Sequence, residues 1–445
     1  MQKKIKFGTD GIRGRANQFP FRKKFLNWLG LAIAQWSVEK YKTKNPRVLI
    51  GHDTRISCNK IKKSLKDGLM AIPLTIIDGK VLPTPAICKL VKTNEFDLGI
   101  VISASHNPYK DNGIKIFDSK QCKISQSDED IIIKNFEKLQ RNNHEVIINS
   151  KSSEKIWENA YEQYITEILK LFKNDFLKKL KIVIDCANGA TYKVAPILFK
   201  KLGAQVIELS TQPNGKNINK ESGALYPELL QQKILEHKAD IGFAFDGDGD
   251  RVIIINKSGQ IKDGDDILAL LCHHKEFLHS QKIIGTIMTN LGLELFLKKN
   301  KKHLVRTDVG DKYIAEHLQQ ENLPLGGEAS GHIIIKNYMN TGDGIFNALK
   351  ILETIIQNKN WNLTTFKKTP QYLVNIPVAN KADLSQPPYS QIIKEYKNLL
   401  KNGRVVVRYS GTENLLRVMT EAEKKLIAQN IAQNLAQKLK VMLNN

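Results

Sequence analysis

Three aspartates within six residues, Asp246-Gly-Asp248-Gly-Asp250-Arg251, have the residue types needed to hold a hard metal ion. In an extended chain, side chains two apart lie about 6.6 Å apart on one face, too far to share one cation. Gly247 and Gly249 let the backbone curl, so that the carboxylates converge on an ion such as Mg²⁺. An EF-hand is excluded: its sixth position needs Gly and carries Arg251, and its twelfth needs Glu and carries Lys257. A solvated acidic turn is the plain alternative. The preceding Ile241-Gly-Phe-Ala-Phe245 is apolar and reads as a buried parallel strand. The acidic loop therefore falls at the C-terminal end of a strand, where open α/β sheets bind ligands.

Ser103-Ala-Ser-His-Asn-Pro108 follows the apolar run Leu98 to Val101 in the same way. Ser105 is a candidate nucleophile or phosphate carrier. A Ser-His-Asp hydrolase would need a Gly-x-Ser-x-Gly elbow, which is missing, and His106 is the neighbour in chain, poorly placed to serve as its base. Gly8-Thr-Asp-Gly-Ile-Arg-Gly14 offers glycine amides beside a guanidinium, an anion cradle that lacks the Lys-Ser/Thr of a P-loop. Gly326-Gly-Glu-Ala-Ser-Gly-His332 groups a carboxylate, a hydroxyl and an imidazole that suit sugar hydroxyls. Arg408-Tyr-Ser-Gly-Thr-Glu413, with Arg417 beyond it, can wrap one phosphate with guanidinium, hydroxyls and amides. Together these loops imply phosphoryl transfer on a phosphorylated sugar.

The elements that must position them alternate. Arg47 to Gly51, Lys181 to Asp185 and Lys282 to Gly285 read as strands, and Cys58 to Met70 and Lys193 to Lys201 as helices. Asp97 to Ser103 and Asp240 to Asp246 repeat one pattern, which predicts three related α/β domains in series. Ser127 with Asp130 reads as a capping box opening a helix to about Gln140, and Val146 to Ile148 as a short strand in a polar linker. The expected domains are 1–150 with the Ser105 loop, 151–252 with the metal loop and 253–367 with the sugar loop. A C-terminal α+β domain, 368–445, closes the chain; its strands are Tyr372 to Pro377, Arg404 to Arg408 and Leu415 to Met419. Its last helix presents Ile427, Ile431, Leu435 and Leu439 on one face.

Composition bounds the rest. The 445 residues hold 68 Lys+Arg against 45 Asp+Glu, a net +23, but the lysines are scattered and no arginine-rich stripe or zinc-finger spacing accompanies them. Most of that charge reads as solvated surface, so no specific nucleic acid is expected as a partner. Five cysteines far apart suit reduced thiols in a cytoplasmic protein, and neither a signal peptide nor a membrane span is expected.

At the level of whole motifs the chain resembles the α-D-phosphohexomutases. The likeness lies in Phe7 to Gly14, Ser103 to Pro108 with Asp111-Asn-Gly-Ile-Lys115, Asp185 to Thr191, the aspartate loop, Val309 to Tyr313, Gly327 to His332 and Arg408 to Glu413. Within that family it looks like the branch acting on glucosamine phosphates. The resemblance implies four domains around a central cleft. It also implies interconversion of glucosamine 6-phosphate and glucosamine 1-phosphate on the route to UDP-N-acetylglucosamine and peptidoglycan. By it, Ser105 is a phosphoserine, and one Mg²⁺ binds Asp246, Asp248, Asp250 and a phosphate oxygen on Ser105. Glucosamine 1,6-bisphosphate is the implied intermediate, which reorients in the cleft. Arg13, Lys115 and Arg251 are implied around the transferring phosphate, with Lys115 as proton acceptor and His332 as a second acid/base. Glu328 and Ser330 are implied to hold sugar hydroxyls, and Arg408, Ser410, Gly411, Thr412 and Arg417 the non-reacting phosphate. Any self-association is expected as a homodimer. Two residues depart from the pattern: Ala329 stands where Gln or Asn is usual, and Asn414 where Pro is usual. A phosphomannomutase/phosphoglucomutase of the same family and an Asp-x-Asp glycosyltransferase are the competing functions.

Overall fold

Alternating apolar strands and amphipathic helices build four sheets in chain order among residues 4–410 and 414–444, which the computed structural model describes. In the first sheet Leu98–Ile102 runs parallel to Arg47–His52 and antiparallel to Asp111–Asp118. In the second, Ile241–Phe245 runs parallel to Lys181–Asp185 and antiparallel to Val252–Asn256. In the third, Leu325–Gly327 runs parallel to Lys282–Thr286 and antiparallel to Ile333–Ile335. The strand before the aspartate loop is thus paired both ways rather than purely parallel. Each of the three sheets carries a loop at the same place, where a parallel strand turns into its antiparallel neighbour: 103–110, 246–251 and 328–332. The fourth sheet is antiparallel, with Leu415–Glu421 between Gln371–Pro377 and Arg404–Tyr409.

Several local expectations shift. Val146 to Ile148 forms no strand, and Ile147 and Ile148 stay exposed; the polar Ser153–Ile156 pairs with Thr75–Val81 instead. The first sheet therefore extends past residue 150. Val252–Asn256 and Ile261–Lys262 both belong to the second sheet, which runs past the break expected at residue 252. The helix Gln126–Arg141 is capped by Ser125 with Asp128, not by Ser127 with Asp130. In the last helix Leu435 and Leu439 are buried with Ala428, Ala432 and Ala436, while Ile427 sits at the exposed rim.

One apolar cluster runs through the first three units, from Leu49 through Phe243 to Leu363, whereas the C-terminal unit packs its own around Leu416, Val418, Leu435 and Leu439. A buried carboxylate helps lock the second unit to the third. Asp343 caps the helix Gly344–Asn358 and accepts hydrogen bonds from Tyr164 Oη at 2.8 Å and Tyr338 Oη at 2.9 Å. Asp343→Ala should lower the unfolding midpoint in urea, because each buried hydroxyl left unpaired costs about 1–3 kcal/mol. An unchanged midpoint would show that this lock carries no stability.

Candidate active site

Ser105 lies in the loop after Leu98–Ile102, is fully buried and has a left-handed backbone with φ +50°. Its Oγ donates to Asp246 Oδ2 at 2.6 Å, so the first and second units meet at the hydroxyl. Gly247 makes the approach feasible: a Cβ there would fall 2.5 Å from the Ser105 carbonyl oxygen and 2.8 Å from Asn219 Nδ2. The three aspartates converge as their spacing predicts, each buried and each offering an oxygen within 4.8 Å of the others'.

Cations from three directions balance this charge. Lys115, on the strand Asp111–Asp118, donates to Asp248 Oδ2 at 2.8 Å and Asp250 Oδ2 at 3.1 Å, and pairs with Asp10 Oδ1 at 3.0 Å. Burial alone would push its ammonium down, but Asp10, Asp248 and Asp250 outweigh that and hold it well above the ordinary lysine value. Arg13, on the strand Ile12–Arg15, pairs with Asp10 and donates to Ala104 O at 2.9 Å and Asn107 Oδ1 at 3.2 Å. Arg251 Nε lies 3.8 Å from Asp250 Oδ1. Burial and the Asp250 and Asp248 charges push Asp246 well above the usual carboxylate range. Burial acts on Asp250 in the same sense, but Lys115 and His332 override it and hold Asp250 well below.

His332 arrives from the third unit. Its Nδ1 is 3.6 Å from Asp250 Oδ1, and its Nε2 accepts from Gly342 N at 3.1 Å. Burial opposes a charge there, yet Asp250, Asp311 and Glu328 raise its pKa. His106, by contrast, is pushed down to about 3 by burial and by Arg251 and Arg13, and its Nδ1 stands 3.5 Å from Ser105 Oγ. Burial and two neighbouring guanidiniums make it a poor base for Ser105, in keeping with the missing Gly-x-Ser-x-Gly elbow.

Glu328 accepts from Gly310 N at 3.0 Å, and the exposed Ser330 hydroxyl lies 3.5 Å from it. Arg408 and Arg417 stand directly opposite each other on paired strands. Like charges in that register repel, and burial followed by Arg417 lowers the Arg408 pKa. Glu328 and Asp308 act on Arg408 through their charge, which sets the arginine pair near the 328–332 loop. Ser410 is buried at the end of the same strand; Gly411 and Thr412 lie outside the described residues.

Three further contributors carry no functional signal of their own in the sequence. Asp10 sits inside a motif singled out for its glycines and arginine. Thr84 donates through Oγ1 to Asp248 Oδ2 at 2.6 Å. Lys123 bridges Asp10 Oδ1 at 2.7 Å and Asp311 Oδ2 at 2.6 Å, joining the first unit to the third. No local spacing marks Thr84 or Lys123.

Family models bring these features together. Those for domains I, II, III and IV of the phosphoglucomutase/phosphomannomutase proteins match residues 4–143, 159–259, 263–372 and 373–438. The chain belongs to this family of α-D-phosphohexomutases. It is 40% identical over 440 residues to the phosphoglucosamine mutase of Chlamydia trachomatis serovar D, covering 96% of this chain and 94% of that one. The phosphoglucosamine mutase of Mesorhizobium japonicum is also 40% identical, over 96% of each chain. Among solved structures, a phosphoglucomutase/phosphomannomutase family protein from Burkholderia thailandensis superposes with TM-score 0.79 at 23% identity, covering 98% and 97% of the two chains. The N-acetylphosphoglucosamine mutase of Aspergillus fumigatus, solved with GlcNAc-6P and magnesium, superposes with TM-score 0.67 at 17% identity, covering 99% and 96%. As a phosphohexomutase the chain is an isomerase, which removes the glycosyltransferase alternative.

The close approach at Gly247 is open to a direct test. Gly247→Ala should push the Ser105 loop and the aspartate loop apart, and a displacement near 1 Å lowers turnover by about 10²-fold. Mutase assays on the folded variant check this, and unchanged turnover would show that the loops have slack.

Proposed function

We propose that the chain is a phosphoglucosamine mutase, interconverting glucosamine 6-phosphate and glucosamine 1-phosphate through a phosphorylated Ser105 and a glucosamine 1,6-bisphosphate intermediate. The observation that carries this reading is the 2.6 Å contact of Ser105 Oγ with Asp246, inside a buried aspartate triad faced by Lys115, Arg13 and Arg251. Identity over nearly the full length to relatives of that name supports the choice of sugar. Five free cysteines support a reducing, cytoplasmic setting, and among the described residues no helix is long and apolar enough to cross a membrane.

The triad fits a magnesium ion. Its donors are all carboxylate oxygens, and Asp248 Oδ1 and Asp250 Oδ1 are buried without a hydrogen-bond partner. Asp246, Asp248 and Asp250 would hold the ion together with an oxygen of the Ser105 phosphate. Mg²⁺ there would offset charge on the transferring group and weaken the aspartates' hold on the Lys115 proton.

The residues of the chain supply the rest. A sugar hydroxyl oxygen bonds to the phosphorus as the bond to Ser105 Oγ breaks, so one proton must pass from that hydroxyl to Oγ. Lys115 and His332 are assigned to carry it. Carboxylate neighbours bias both towards their protonated forms, which suits donation to the departing serine oxygen before either accepts the hydroxyl proton. Arg13 and Arg251 are assigned to the phosphoryl oxygens, Glu328 and Ser330 to the sugar hydroxyls, and Arg408, Ser410, Gly411, Thr412 and Arg417 to the phosphate that is not reacting.

Ser105→Ala should abolish mutase activity while leaving thermal unfolding near that of the parent. Intact-mass spectrometry should find a phosphate on the parent and none on the variant. Normal turnover in the folded variant would end the phosphoserine reading, and a higher kcat/KM for mannose or glucose phosphates than for glucosamine phosphates would reassign the substrate.

Arg408→Ala should raise KM for both the 1-phosphate and the 6-phosphate, through loss of a charge-assisted contact worth about 1.5–3 kcal/mol. Steady-state kinetics in both directions decide it: an effect in one direction alone would mean the clamp reads something other than the idle phosphate.

A further inference from the structure

We infer that Arg55 and Asn219 are positioning residues for the reacting serine, together fixing the left-handed turn that aims Ser105 Oγ at the aspartate loop. The inference rests on Ser105 being the phosphate carrier. A side chain other than glycine holds a left-handed backbone only where its surroundings over-determine it, and Ser105, with φ +50°, is such a residue.

Arg55 supplies most of that determination. Its guanidinium donates to the carbonyl oxygens of Ser105 at 2.9 Å, Asn107 at 2.7 Å and Asp111 at 3.2 Å, and to that of Pro108. A single buried fork therefore grips four carbonyls of the loop that presents the hydroxyl. Its Nε donates to Asp53 at 2.8 Å, and that carboxylate accepts from Ser103 Oγ at 2.6 Å, whose oxygen in turn accepts from Ser105 N at 2.9 Å. Both backbone groups of Ser105 are thus tied to one buried ion pair.

Asn219 reaches the same carbonyl from the second unit. Its Nδ2 donates to Ser105 O at 2.8 Å and to Asn107 O at 3.2 Å. Its own amide donates to Ala187 O at 2.9 Å, which anchors it beside the aspartate loop. A core ion pair serving stability alone would not need a second donor from another unit converging on one oxygen. The convergence makes the Ser105 carbonyl the point where the position of the hydroxyl is set relative to Asp246. These polar groups face backbone, so substrate affinity should be insensitive to them.

The test uses the full chain, carrying phosphate at Ser105 as verified by intact mass, in the variants Asn219→Ala, Arg55→Lys and the double variant. Each single change should lower kcat by about 10- to 100-fold with KM nearly constant, the scale expected when a reacting atom drifts by a fraction of an ångström to 1 Å. The double variant should lose less than the product of the two, because both act on one carbonyl. Removing Arg55 entirely risks misfolding, so Asn219→Ala, which leaves the ion pair whole, is the deciding variant. Parental kcat in folded Asn219→Ala, a loss confined to KM, or strictly multiplicative losses would each overturn the inference. Ser105→Ala run alongside separates the two levels: if it turns over normally the phosphoserine reading falls, whereas a dead Ser105→Ala beside a normal Asn219→Ala sinks only the positioning role.

Discussion

Burying three carboxylates side by side is the constraint around which the rest of the molecule is arranged. Asp246, Asp248 and Asp250 are almost wholly removed from solvent, a position that costs several kcal/mol per charge unless counter-charges and hydrogen bonds compensate. Lys115, 1% exposed, answers two of them and Asp10 at once. Because Lys115 belongs to the first unit and the triad to the second, neutralising the charge forces the two units into one relative placement. Lys123 repeats the device between Asp10 and Asp311, and His332 sets its Nδ1 beside Asp250 from the third unit. Apolar burial is non-directional; these ion pairs give the interfaces their direction.

The three α/β units put different chemistry at one topological address. The loop between a parallel strand and its antiparallel neighbour carries the serine in the first unit, the aspartates in the second and the Glu328–His332 set in the third. Each loop is short and anchored on buried strands, so its side chains inherit the rigidity of a sheet. The C-terminal unit, built differently, brings two arginines on adjacent strands rather than on a loop.

Much of this was legible in the sequence because it is local. The aspartate spacing, the apolar run before it and the Ser105 loop each lie within a dozen residues, and period and turn chemistry report them. Contacts between segments far apart in the chain leave no such trace. Lys123 meets Asp311, 188 residues away, and Arg55 meets the 105–111 loop from an unremarkable helix approach. The edge strand Ser153–Ile156 was invisible because every residue in it is exposed, so it lacks the alternation that marks a half-buried strand. Ser125 and Ser127 both fit a capping box in the sequence; the choice is made by Trp36 and Lys40, whose side chains engage Asp128 from another helix. Domain limits read from polarity miss by a strand for the same reason.

The separate apolar cluster of the C-terminal unit has a consequence for how the molecule opens. That unit meets the third through polar contacts: Arg404 donates to Ile287 O and Thr289 O, Leu291 N to Glu421, and Asn290 exchanges hydrogen bonds with Thr369. Water can replace such contacts at modest net cost, whereas parting the first three units would expose a shared apolar interior. The chain therefore holds two cooperative blocks of unequal size, and backbone amides should exchange with deuterium in two tiers. The slow tier belongs to strands such as Leu98–Ile102 and Ile241–Phe245, and the fast one to Leu291 and Thr369, whose amides donate across the seam. Motion of the C-terminal unit would then work that seam alone, with the packing of the first three units left undisturbed.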